Sequence, residues 1–175
     1  MEKIESYCNL LQQWLNYYGF EEIKVHEGSG PDKVFRRSRV EASKFGKVDC
    51  YTCTKYFKTM PNAEEFKKFS ETMFSLAGRH RTGMPLGFGA MLVVYPLVLV
   101  ENISQDLITF ITQYCPKHFA AAEFPSVYDI ANNLLYFYPA TPLWGAAYYS
   151  NYRKESYRYF SPKGWAEVSS QQIVK

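Results

Sequence analysis

Residues 90–100, AMLVVYPLVLV, form the longest apolar run of the chain and most constrain how it can fold. The run lacks the alternation of apolar and polar residues that marks a strand with one face in water. Its branched aliphatic side chains are typical of a strand that is covered on both faces. The run therefore predicts a buried central strand with helices on both sides. Because proline cannot donate to a ladder, we expect a bulge or a strand end at Pro96.

The chain before this run reads as one helix followed by three short strands. Apolar residues recur at steps of three and four over 3–18, and Gly19 is a natural helix stop. Strands are predicted at about 21–26, 33–42 and 47–57, separated by loop-like stretches that contain glycine. These three strands would pair as an antiparallel meander.

The chain after the meander alternates between helices and strands. Asn62 and Glu65 have the spacing of a capping box, so a second helix is predicted to begin there. The later elements are a helix at about 103–114, two strands at 119–130 and 134–138 around an Asn-Asn turn, and segment 143–160, whose pattern fits a helix or a strand and favours a helix.

Together these elements predict one α+β domain with a mixed sheet over residues 1–165 and a loose tail at 166–175. A chain of 175 residues can bury one core, and 47% hydrophobic residues exclude disorder. The formal charge of +3 demands neither nucleic acid nor an anionic membrane. The N-terminal segment is acidic and amphipathic, unlike a signal peptide. We therefore expect a soluble cytoplasmic protein without membrane association and with reduced cysteines.

The stretch VDCYTCTK holds Cys50 and Cys53 at a spacing that metal and redox sites use. In a strand, however, these two side chains point to opposite faces, and their Cα atoms lie roughly 10 Å apart. The preferred interpretation is therefore two buried thiols, with no metal and no cofactor. The alternative is a zinc site completed by Cys115 and His118, which form a Cys-x-x-His of their own.

The order of helix, three-stranded meander, helix and strand resembles the core of restriction-endonuclease-like nucleases. Such nucleases place an Asp on one strand and Glu-x-Lys on the next, to hold a divalent cation. The candidates here are Asp32, Glu41 and Lys44, but Glu41 is followed by Ala-Ser-Lys, which is one residue too long. The resemblance thus implies a metal-dependent nuclease as an alternative function, with an incomplete signature.

The meander is also the most basic part of the chain. Within it, Arg36, Arg37 and Arg39 alternate with apolar and aromatic residues, a pattern that suits a nucleic-acid backbone and stacked bases. The competing interpretation is a solvated sheet face or an edge protected by positive charge. We favour the second interpretation, so nucleic acid is a possible partner but not the expected one.

Aromatic residues are abundant, with 15 Tyr and 3 Trp. Tyr and Trp are enriched at protein interfaces, and the candidates for such a surface are Trp144, Tyr148, Tyr149 and Tyr152. No nucleophile elbow, phosphate-binding loop or dinucleotide fingerprint occurs in the sequence. The leading hypothesis is therefore a non-enzymatic binding or protein-interaction module, with a protein or a second copy of the chain as its partner.

Overall fold

The structure, a computed structural model, describes residues 2–25, 30–41 and 46–173. It has a seven-stranded mixed sheet with helices on both faces, which confirms the predicted α+β fold. The elements are α1 (Glu2–Tyr17), β1 (Glu21–Ile23), β2 (Lys33–Glu41), β3 (Gly46–Tyr56), α2 (Ala63–His80), β4 (Ala90–Val100), α3 (Gln105–Ile111), β5 (Ala121–Glu123), β6 (Ser126–Asp129), β7 (Leu134–Phe137), α4 (Tyr149–Phe160) and α5 (Pro162–Ile173), with a 3-10 turn at Leu143–Gly145 before α4.

The strands follow the order β1-β2-β3-β4-β6-β7, and β5 pairs with β4 in line with β6. The first three strands form the predicted antiparallel meander. Strand β4 runs parallel to β3 on one side and to β5 and β6 on the other, and β7 closes the sheet antiparallel to β6. Strand β4 is the buried central strand that its apolar run predicts.

Pro96 lies inside β4 without a bulge or a strand end, so that expectation was wrong. The reason is the side of β4 to which the backbone nitrogen of Pro96 points. Val94 accepts a hydrogen bond from the backbone N–H of Phe124, and Val100 accepts one from Ile130, so even-numbered residues of β4 face β5 and β6. Pro96 falls opposite the interruption between β5 and β6, where its missing N–H disturbs the ladder least.

One face of the sheet is covered by α1, α4 and α5 in an aromatic layer. Tyr7 of α1 stacks on Tyr128 of β6 with ring centres 4.2 Å apart, and its hydroxyl donates to the carbonyl of Phe160 at 2.7 Å. Stacked rings contribute beyond the area they bury, and the buried hydroxyl of Tyr7 has its hydrogen-bond partner inside the layer. Much of the tyrosine surplus is thus used in the core.

The predicted loose tail at 166–175 is helical up to Ile173, as part of α5. Pro162 occupies the first position of this helix, where its fixed φ is favourable. The buried indole of Trp165 stacks on Trp14 of α1, with ring centres 5.8 Å apart, and donates to the carbonyl of Tyr159 at 3.2 Å. Trp165 therefore anchors α5 on the aromatic layer.

The other face of the sheet is covered by α2 and α3. Helix α2 begins with the predicted capping box, in which Asn62 and Glu65 each accept from the other's backbone N–H. Ser104 caps α3. The hairpin between β6 and β7 turns at Asn133, whose φ of 57° confirms the Asn-Asn turn. None of the helices in the described residues is both long and apolar enough to cross a membrane.

The buried tyrosines predict how stability depends on alkaline pH. Unfolded tyrosine ionises near pH 10, whereas burial raises the pKa of Tyr128 to about 12 and also raises the pKa values of Tyr7 and Tyr95. Between these pH values the folded chain keeps protons that the unfolded chain has lost. The free energy of unfolding should therefore be unaffected by tyrosine below about pH 10 and fall as pH rises toward about 12.

Urea unfolding by circular dichroism at stepped pH, with tyrosinate absorbance recorded in parallel, measures this dependence. Absorbance that reached its full unfolded value near pH 10 while the fold stayed intact would contradict the prediction.

Candidate functional site

The acidic candidates for a nuclease site lie at opposite ends of β2. Asp32 precedes the strand and Glu41 ends it, so roughly 30 Å of extended chain separates them. Asp32 Oδ2 accepts from the backbone N–H of Tyr56 at 2.7 Å, and Glu41 Oε1 accepts from Arg39 Nε at 2.6 Å. Lys44 lies outside the described residues. The structure therefore does not bring Asp32 and Glu41 together at one metal position.

The β2–β3 pairing instead brings Asp32 opposite the segment Cys53-Thr54-Lys55, where its N–H donates to the Thr54 carbonyl at 2.7 Å. This segment has the spacing of Glu-x-Lys with Cys53 in the acidic position. Burial raises the pKa of the Cys53 thiol, so the group is neutral. Divalent cations need converging oxygen ligands, and a neutral buried thiol supplies none. Sequence reasoning missed this juxtaposition because it paired Asp32 with Glu41.

The cysteines are dispersed among the layers of the fold. Cys50 lies on the aromatic face of β3 and Cys53 on the α2 face, as their spacing in a strand predicts. All four cysteines are free, and Cys115 Sγ donates to the hydroxyl of Tyr149 at 3.3 Å. His118 forms its contact elsewhere, with a glutamate. Across the ranges that the structure describes, no three His, Cys, Asp or Glu side chains converge as a metal site would need.

Two of the arginines that sequence reasoning assigned to a nucleic-acid surface have partners inside the fold. Arg36 Nη2 donates to the buried carboxylate of Asp49 at 3.0 Å. The guanidinium of Arg37 is buried, lies 4.5 Å from the ring centre of Phe20, and donates to the hydroxyl of Tyr159 at 2.9 Å. Arg36 thus joins β2 to β3 and Arg37 joins β2 to α4, so these two side chains do not form a free basic face.

The four aromatic candidates for a partner surface divide into two groups. Tyr149 and Tyr152 are buried in the aromatic layer, whereas Trp144 is exposed and Tyr148 half-buried. All four line one cavity of about 140 Å³, with His118 in its wall. Burial raises the pKa values of the Tyr149 and Tyr152 hydroxyls, so these phenols stay neutral. The remaining lining residues are Met91, Ala120, Ala121, Ala122 and Gly145.

The cavity opens at the end of the sheet where β4 and β5 begin, and large apolar side chains are exposed there. We call this group the sheet-end surface. Its members and exposed fractions are Met84 (61%), Phe88 (72%), Phe119 (82%), Leu143 (98%) and Trp144 (43%). Sequence reasoning found only Trp144, because single apolar residues in loops carry no periodic signal.

Phe119 joins the two loops that build this surface. Gly87 has a φ of 85°, and a Cβ there would lie 2.9 Å from Cε1 of Phe119. The ring therefore rests on the backbone of the loop that holds Met84 and Phe88, and glycine is needed both for its φ and for this close approach. The next residue, Ala120, lines the cavity beside Trp144. Gly87 and Ala120 thus connect Phe119 to the loop of Met84 and Phe88 on one side and to the cavity beside Trp144 on the other.

A buried carboxylate holds the loop under Phe119 in place. Glu123 of β5 accepts from Ser70 Oγ of α2 at 2.5 Å, and its other oxygen lies 2.8 Å from His118 Nε2. The His118 ring stacks on Phe74, with ring centres 3.7 Å apart. The carboxylate lies between the serine and the imidazole, whereas a catalytic triad places the imidazole in the middle. This network therefore positions the loop and lacks the order needed to activate Ser70.

No family model, curated protein or solved structure matches this chain. Within the described residues, the features that suit a binding function are the sheet-end surface and the cavity beside it.

The contacts of Arg37 predict a loss of stability when it is replaced. Arg37→Ala removes a buried charge-assisted hydrogen bond and a cation–π contact, which together contribute about 2 to 4 kcal/mol. Arg39→Ala is the matched control, because Arg39 is half exposed and an exposed ion pair contributes about 0 to 1 kcal/mol. Urea denaturation of the two variants measures both values. Equal losses, or salt-dependent oligonucleotide binding that only Arg37→Ala abolishes, would contradict the structural role.

Proposed function

We propose that this protein is a non-enzymatic interaction module that binds a protein partner through the sheet-end surface. The observation that carries the proposal is the cluster of five large apolar side chains exposed at one end of the sheet. Single exposed apolar residues are ordinary, but a continuous group is typical of an interaction site. The cavity next to Trp144 provides the kind of pocket in which an interface buries its strongest contacts.

The fold does not need these side chains for its own core. Each face of the sheet already has a complete apolar layer, and the exposed members lie in loops or just before α4. Burying one such side chain contributes about 1.5 to 3 kcal/mol. A chain that leaves Phe88, Phe119 and Leu143 in water forgoes this stabilisation, and a partner that covers them recovers it as binding free energy.

A cytoplasmic location accompanies this proposal. All four cysteines are free thiols, and two of them are buried inside the core. Free thiols are the normal state of cysteine in a reducing compartment.

A metal-dependent nuclease is the second candidate, and one observation favours it. The meander followed by α2 and a parallel β4 has the order of elements that the resemblance implies, and Asp32 lies opposite Lys55 at the end of β3. The buried thiol of Cys53 in place of the acid argues against cleavage, because divalent-metal sites use converging carboxylates.

The nuclease candidate is tested directly with divalent cations. We expect that Mg²⁺ or Mn²⁺ neither raises the melting temperature nor supports cleavage of supercoiled plasmid DNA, because only one of the two acids is present. Cleavage that Asp32→Asn abolishes and the control Glu41→Gln retains would contradict this expectation and establish the second candidate.

The interaction proposal is tested by selecting binders from a displayed library of random peptides on the immobilised protein. We expect Phe119→Asp and Phe88→Asp each to weaken the selected binders at least tenfold, since 1.4 kcal/mol is a factor of ten and a buried large side chain contributes about that much or more. Leu134→Asp is the matched control, because Leu134 is partly exposed at the far end of β6 and β7.

Biolayer interferometry gives the affinities, and thermal melts by circular dichroism show whether each variant keeps its fold. A library that yields no binders, or binders that both sheet-end variants retain at full affinity, would refute the proposal.

A further inference from the structure

We infer that the segment which binds the sheet-end surface carries one apolar anchor side chain with acidic residues beside it. This inference rests on the proposed function and adds the chemistry of the partner. It follows from the cavity, from the charges around it and from the shapes of the exposed side chains.

The cavity sets the size and polarity of the anchor. Its volume is about 140 Å³, and an apolar cavity of roughly 150 Å³ is enough to hold a benzene ring. Its walls combine Trp144, Tyr148 and Tyr149 with small alanines. The phenol of Tyr149 is neutral and already accepts from Cys115. The pocket therefore suits one Phe, Leu or Met side chain that enters beside the exposed edge of Trp144.

Positive charge predominates around the cavity, because the carboxylates that act on Tyr152 in its wall, Glu155 and Glu41, are engaged by Tyr95 and Arg39. The segments that build this end of the molecule, residues 79–90, 113–122 and 138–151, contain Arg79, Arg81 and Lys117 but no Asp or Glu. Lys117 Nζ lies 5.9 Å from the ring centre of Trp144, at the edge of the cavity. The next carboxylate in sequence, Glu123, is buried and engaged by Ser70.

Lys47 adds a fourth cation to this end. It begins β3, and its Nζ approaches Gly83 in the loop before β4. A surface on which positive charge predominates attracts acidic partners and repels basic ones. The acidic residues of the partner would therefore flank the anchor, within reach of Lys117 at the edge of the cavity.

Two of the exposed side chains favour a polypeptide over a nucleic acid. Single strands bind by stacking bases on flat aromatic faces. The rings of Trp144 and Tyr149 make a T-shaped contact with centres 5.2 Å apart, and Lys117 lies near the Trp144 ring. Leu143 and Met84 are the branched and flexible members of the surface and cannot stack a base. They fit the aliphatic and aromatic side chains of a protein segment.

The sequences of the selected peptides test the inference. We expect a consensus with one Phe, Leu or Met and at least two Asp or Glu within three positions of it. The highest-ranked peptide, synthesised with a fluorescent label, serves as the probe for anisotropy titrations. Replacement of its anchor by Ala should weaken binding at least tenfold, and binding should weaken as salt rises because the flanking charges are screened.

Two changes in the protein separate the anchor from the charges. Ala122→Leu places a larger side chain in the cavity wall and should weaken binding of the probe at least tenfold. If Ala122→Leu fails to fold, Tyr148→Ala is the variant to test in its place. Lys117→Glu, at an exposed position, should weaken the probe about three- to tenfold and flatten its salt dependence. Peptides in which Asn and Gln replace Asp and Glu should be indifferent to Lys117→Glu.

Three outcomes would overturn the inference. Binders that need Phe119 but share no acidic or apolar consensus would leave the proposed function standing and refute the inferred apolar anchor with acidic neighbours. Displacement of the probe by a short deoxythymidine oligonucleotide would indicate nucleic acid instead. A dimer in analytical ultracentrifugation that Phe119→Asp dissociates would make a second copy the occupant. Binders that ignore Phe119 altogether would refute the proposed function itself.

Discussion

The burial of β4 on both faces is the constraint on which the rest of the structure depends. Side chains of this strand alternate between the two layers, so that Val93 and Leu99 contact the aromatic layer while Val94 and Val98 contact α2 and α3. A strand with no face in water must pair its backbone on both edges, because an unpaired buried N–H is costly. This requirement explains the parallel neighbours on each side and the position of Pro96 at the break between β5 and β6.

The tyrosine surplus is understood from the same constraint. The aromatic layer must cover β4 while also accommodating polar groups at its margins, and phenols do both. Tyr95 of β4 points into this layer and donates to Glu155, and Tyr159 receives the guanidinium hydrogen bond of Arg37. Once these rings are committed to the core, the exposed contact area at the end of the sheet consists of Phe, Met, Leu and Trp side chains. The abundance of tyrosine in this protein therefore reflects the composition of its core more than that of an interface.

Local patterns were sufficient to predict the elements, whereas pairings between distant residues were not. The Asn62–Glu65 capping box and the apolar run of β4 are encoded within a few residues, and both predictions are confirmed. The hydrogen bond between Arg37 and Tyr159 joins residues 122 positions apart, so Arg37 looked like a surface charge. The register that sets Asp32 against residues 53–55 depends on the hairpin of β2 and β3. The composition of the turn alone did not predict this register. Segment 166–175 looked loose because one residue before it, Trp165, supplies the anchor.

In the hairpin of β2 and β3, side chains at the positions of a nuclease metal site are used for packing and ion pairing within the fold. On the face toward α2, the position that an acid would need is occupied by the buried thiol of Cys53. The acid that is present on this face, Asp49, is neutralised by Arg36 at 3.0 Å. A buried carboxylate with such a partner is held in place and is not available to a cation from solvent. The chemical groups of the hairpin are therefore used within the fold, and the surface left for a partner is the apolar and positively charged end of the sheet.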